Sequence, residues 1–122
     1  SIVDEMQLPC QPASPQLIGS RRWSLIIDAI FGTGLTQAPR EPFPLLAAAI
    51  NEAGSPVLAV DLPSGLDCDT GEPLGACIRA TATITLAAAK LGFANPASKA
   101  WTGEILIGDI GCPAEIVQQL GR

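Results

Sequence analysis

Two apolar runs, in "SLIIDAIF" and "PVLAVDLPSG", each close on an aspartate, Asp28 and Asp61, and each aspartate is followed by glycine four residues later. Neither run alternates with polar residues, which is the pattern of a strand buried on both faces in a parallel sheet. Between them Leu45, Leu46, Ala49, Ile50 and Ala53 recur at helical spacing, so a helix is expected over Pro42–Ala53, stopped by Gly54 at C′. Strand, helix and strand with short links make a βαβ unit, whose strands are parallel and whose crossover is right-handed. "TATITLAAAK" and "GEILIGDIG" read as a third and a fourth strand. Ahead of the first strand, Ser14 caps a short helical turn with Pro15 at its first position. "IVDEMQL" resembles the end of an amphipathic helix, and Pro113–Leu120 reads as a short terminal one.

The chain has 122 residues, enough to bury one core, and 48% of them are hydrophobic. Only 16% are charged, against roughly 25% in average domains, so part of the surface is expected to be covered by a partner subunit or by further chain. A net charge of −5 argues against a nucleic-acid backbone partner. No apolar run approaches the roughly 20 residues of a membrane span, and no secretory leader pattern is present. The expected location is therefore cytoplasmic. Histidine is absent, which removes Ser-His-Asp and Cys-His chemistry and leaves carboxylate, lysine or water as a general base. Cys10, Cys68, Cys77 and Cys112 form no C-x-x-C pair and are expected as small buried hydrophobes rather than zinc ligands or disulfides.

Ligands of open parallel sheets bind beyond the carboxyl ends of the strands, which is where Asp28 and Asp61 fall. Gly32 and Gly34 in "FGTGL" would bring bare backbone N–H groups close to an anion, with Thr33 and Thr36 adding hydroxyls. This is not the dinucleotide fingerprint, because Gln37 replaces its third glycine and no helix starts there. A strand-end aspartate more often shapes a turn than reacts, and "PSG" by itself reads as a turn. An aspartate carboxylate, the Ser64 hydroxyl and nearby carbonyls would also offer hard oxygens to a cation such as K⁺, Mg²⁺ or Ca²⁺, with the plain turn the preferred reading. Asp67, Asp69 and Gly71 read as a turn. Lys90, closing "AAAK", faces either the same edge, as a phosphate partner or an acid, or solvent as a snorkelling side chain.

The ordered series "DAIFGTGL", "PVLAVDLPSGLDCDTGEPLG", "ATATITLAAAKLGF" and "GEILIGDIGCP" closely resembles the YjeF amino-terminal domain family, from about Leu25 to Pro113. The resemblance implies an α/β, Rossmann-like three-layer fold with a mainly parallel sheet. It also implies NAD(P)HX epimerase activity, the interconversion of the R and S forms of hydrated NADH or NADPH. By matching motif positions, Asp28 and Ser64 would be K⁺ ligands. Gly32, Thr33, Gly34, Leu35, Thr36, Gln37 and Ala38 would line the substrate site, with Asp61 binding substrate. Asp61 is then the candidate acid/base, with Lys90 a weaker second. Ala89 replaces a proline of the family's "TFGAPK" pattern, and Gln37 stands where many members have arginine. The family's earlier half, with its "NGGDG" loop, is not in these 122 residues, so they correspond to the carboxyl-terminal portion of one such domain, without its first strands. The expected partners are the missing amino-terminal half or a second copy. The alternative is a non-catalytic member, since related domains in RNA-decapping scaffolds serve dimerisation and partner binding; retention of Asp28, Asp61 and Ser64 together argues against it.

Overall fold

A computed structural model of the chain describes residues 10–32, 34–86 and 90–108. Thr33, Ala89, Cys112 and the helical stretches expected at 2–8 and 113–120 lie outside them. The elements run α1 (Pro15–Gly19), β1 (Ile26–Asp28), α2 (Phe43–Glu52), β2 (Val57–Val60), β3 (Ala82–Leu86), two 3₁₀ turns (Leu91–Ala94 and Pro96–Ser98), α3 (Lys99–Thr102) and β4 (Glu104–Gly108). The four strands form one sheet in the order β1-β2-β3-β4, and every pairing is parallel. With helices flanking the sheet, this is the α/β arrangement expected from the two apolar runs.

Local chemistry explains the boundaries. Ser14 Oγ accepts the Leu17 N–H at 3.1 Å and Pro15 occupies the first turn, so α1 is capped as its sequence predicts. Gly54, at φ 74°, takes the left-handed C′ position after α2. β2 stops at Val60 because Asp61 turns to φ 76°, outside the β region.

Two sequence expectations need correction. The buried face of α2 is Phe43, Ala47 and Ile50, whereas Leu45, expected inside, is 58% exposed. The phase is set by the sheet side: Phe43 meets the Phe31 ring edge-on at 5.2 Å and packs with Val57, Ala59, Ile78 and Ala80. That rotation turns Leu45 away. The second correction is Cys10, which is exposed: among the described residues, no element covers 10–13 ahead of α1. Cys77 is buried as expected, beside Leu62 and Leu66.

β1 lies at an edge of the sheet, and Ile27 is 60% exposed, with Leu25 and Ile30 also on the surface. Beside it is an apolar cavity of about 310 Å³ lined by Leu17, Trp23, Leu25, Ile27 and Ile30 among others. An open, apolar sheet edge pairs readily with further chain.

Candidate functional site

The carboxyl ends of β1 and β2 are adjacent, because β1 pairs with β2 in parallel and Asp28 is level with Ala59. Asp28 therefore closes one strand two residues below Asp61 on the next. The two aspartates meet very different surroundings.

Asp28 is 2% exposed and Ser64 1%. The Ser64 N–H donates to Asp28 Oδ2 at 2.7 Å and the Ser64 hydroxyl to Oδ1 at 2.6 Å, while Ile30 N–H reaches Oδ1 at 3.3 Å. Ser64 Oγ in turn accepts the Phe31 N–H at 2.9 Å. These bonds clamp the loop after β1 to the loop after β2. They leave one acceptor position on Asp28 Oδ2 and one on Ser64 Oγ, a hard-oxygen pair with one negative charge. No salt bridge to Asp28 is found among the described residues.

The clamp depends on Gly65. Its φ of 100° is left-handed, and a Cβ there would run into the Ala76 carbonyl and lie 2.8 Å from Cys77 Cα. The "PSG" segment is thus both a turn and the carrier of Ser64. Cys77 lies close enough to feel the charge on Asp28. Burial first, and then that carboxylate, push its thiol up to about 12, against a smaller opposing effect of Arg79.

Asp61 is the second group. Its backbone has a positive φ, which costs a non-glycine residue roughly 1–2 kcal/mol. The side chain is 18% exposed, and Lys90 Nζ lies 2.8 Å from Oδ1. Oδ1 itself is sealed from solvent and has no aligned hydrogen-bond donor, so the contact with Lys90 is an ion pair of poor hydrogen-bond geometry. Oδ2 points toward Gly32, where a Cβ would sit 3.4 Å from it. The first glycine of "GTG" and Asp61 therefore share one surface.

The remaining loop residues are less engaged. Gly34, Thr36, Gln37 and Ala38 are exposed and Leu35 is half-buried. Ala38 packs on Gly75, whose missing Cβ would lie 2.8 Å from Ala38 Cβ. The structure thus brings Asp28 to Ser64, and Gly32 and Lys90 to Asp61. It shows no hydrogen bond from Leu35, Thr36 or Gln37 to these groups among the described residues. Three participants were not singled out in the sequence, although Phe31 and Gly75 lie inside the quoted motifs: Phe31, whose N–H supports Ser64; Cys77, beside Asp28; and Gly75, which seats Ala38. Asp67, Asp69 and Gly71 form the expected turn, with Asp67 Oδ1 accepting the Asp69 N–H at 3.0 Å and Asp67 O accepting the Gly71 N–H at 2.9 Å.

A family model described as YjeF-related protein N-terminus matches residues 2–92. The chain belongs to this family. The YjeF-related match begins earlier than "DAIFGTGL" and ends before β4. Among similar curated proteins, the NAD(P)H-hydrate epimerase of Pirellula staleyi is 34% identical over 119 residues, covering 98% of this chain and 52% of its own length. That of Limosilactobacillus reuteri is 38% identical over 98 residues, covering 80% of this chain and 46% of its own. The bifunctional NAD(P)H-hydrate repair enzyme Nnr of Moorella thermoacetica is 44% identical over 93 residues, covering 76% and 18%. The chain spans about half or less of these YjeF-related relatives. No helix among the described residues is long and apolar enough to cross a membrane.

Proposed function

We propose that the β1–β2 edge is one wall of the substrate site of an NAD(P)H-hydrate epimerase. The observation that carries this reading is Asp61: a carboxylate on a strained backbone, ion-paired on one oxygen and facing the glycine turn with the other. Family membership and relatives named as NAD(P)H-hydrate epimerases support it.

The reaction inverts the ring carbon that carries both hydroxyl and nitrogen. Asp61, once its accessible oxygen has taken up a proton from solvent, gives it to that hydroxyl as the C–O bond breaks and the ring nitrogen's electron pair forms a C=N bond. Water returning to the same carbon with the opposite configuration hands a proton back to the carboxylate. Among the side chains this wall presents, a carboxylate of this kind is the natural acid and base. The Gly32–Ala38 segment binds the nucleotide part, with Thr33 and Thr36 as hydroxyl donors, and Lys90 is the weaker second candidate for proton transfer.

Asp28 and Ser64 fit K⁺ as a donor set: both offer hard oxygens, each keeps a free acceptor position, and Asp28 brings a buried charge. The ion would screen that charge and help organise the two loops. The open edge at β1 is proposed to be covered by an amino-terminal half of the domain or by a second copy, which completes the site; a stable, soluble monomer of these 122 residues on size exclusion counts against that. The reading as a whole is tested by following R/S interconversion of NADHX and NADPHX with the full-length protein, coupled to an S-specific dehydratase. Complete consumption of both epimers is expected; consumption of the S form alone overturns the proposal.

A further inference from the structure

The two oxygens of Asp61 are not equivalent. Oδ1 has no solvent-accessible surface and faces the Lys90 ammonium at 2.8 Å, while Oδ2 faces Gly32. Resting on the epimerase reading above, we infer that Lys90 is a positioning residue: it occupies Oδ1 and so leaves Oδ2 as the oxygen that exchanges a proton with the substrate. Gly32 is the residue whose missing side chain keeps that oxygen open.

Three features support this division. Oδ1 is out of reach of any ligand, so the accessible part of the Asp61 side chain excludes it. A carboxylate on a left-handed backbone, at the end of a strand, needs an external hold to keep one orientation. Lys90 can provide that hold because its own backbone is anchored. It leads into the 3₁₀ turn Leu91–Ala94, and the Gly92 N–H donates to the Cys68 carbonyl at 2.7 Å. A Cβ on Gly92 would meet Gly71 N, Gly71 Cα and the Cys68 carbonyl, so the loop over 67–71 presses directly on the turn. The "DCDTG" loop over 67–71 and the "KLG" segment are thus the brace that sets Lys90, and through it Asp61.

The test uses the full-length protein, with steady-state epimerisation and thermal midpoint read for each variant. The wild type is assayed first; a wild type that does not interconvert the epimers overturns the epimerase reading and this inference with it. With an active wild type, Lys90→Ala is expected to lower kcat at least about tenfold with KM nearly unchanged, because orientation matters most in the transition state. Lys90→Arg, which restores a cation, is expected to recover most of that loss, and Lys90→Met, of similar length without charge, to recover none. Gly32→Ala is expected to lower kcat/KM without moving the thermal midpoint, since its methyl would stand in ordinary contact, 3.4 Å from Oδ2. A Lys90→Ala enzyme with kcat within twofold of wild type overturns the inference. So does a set of Lys90 variants, arginine included, whose rates fall only in step with their thermal midpoints.

Discussion

Asp28 and Asp61 end neighbouring parallel strands with the same local sequence logic, yet the fold uses them in opposite ways. Asp28 is sunk and held on both oxygens by Ser64 and Ile30, with one acceptor position left on Oδ2. Asp61 sits on a left-handed backbone with one oxygen ion-paired and the other facing a glycine. The first arrangement lowers energy by satisfying a buried charge; the second spends some of it on geometry. Under the proposed epimerase reading, the difference gives structure to one strand end and chemistry to the other.

Stability measurements can break that contrast. Gly65→Ala should have the largest effect, at least about 3 kcal/mol, because it combines left-handed φ with a backbone collision and would dislodge Ser64. Denaturant titration reads it, and a loss under 1 kcal/mol would mean the clamp is slack. Asp28→Ala should cost about 3 kcal/mol by stranding the buried Ser64 N–H and hydroxyl. A nearly neutral Asp28→Ala would place Asp28 in the same class as Asp61.

A pair of substitutions at each site sharpens the comparison further. At position 61, glycine should be more stable than alanine by about 1 kcal/mol, since only the positive φ separates them. At position 28, inside β1, the order should reverse by about 0.5–1 kcal/mol. Equal orders at both positions would erase the backbone difference on which the assignment of chemistry to Asp61 rests.

The smallest effect concerns Cys77. Its thiol is held neutral in the fold up to about 12, whereas in the unfolded chain it ionises from its ordinary 9.0. The unfolded state therefore binds fewer protons across that window, so stability from this group is complete below pH 9 and falls as the pH rises toward 12. Cys77→Ala should flatten this part of the profile, and Asp28→Asn should narrow the window by removing a negative neighbour. An unchanged alkaline profile in Cys77→Ala would show that another group governs it.

How much of this was legible in the sequence follows from where the information lies. The strands were readable from their apolar runs, although Ile27 of β1 is exposed rather than buried on both faces as expected, and α1 because Ser14 and Pro15 act on neighbouring residues. The facing of α2 was not, since its phase is set by Phe31 and the sheet rather than by its own periodicity. Gly32 and the two aspartates lie together at the carboxyl ends of β1 and β2, as their positions in the sequence implied. Residue chemistry alone did not pair the aspartates with their partners, since Ser64 meets Asp28 across 36 residues and Lys90, which meets Asp61, comes after β3; only the family resemblance put Ser64 beside Asp28. Family resemblance pointed to the residues of the site, while the positive φ at Asp61, which separates it from Asp28, is a product of the fold.

The most direct test of the account is the rate of R/S interconversion by the full-length protein carrying Asp61→Ala, with circular dichroism and the thermal midpoint recorded alongside. The account predicts a rate lower by at least about 100-fold, the usual loss of a general acid–base group, in a protein that remains folded. A folded Asp61→Ala enzyme working within a few-fold of wild type would contradict it.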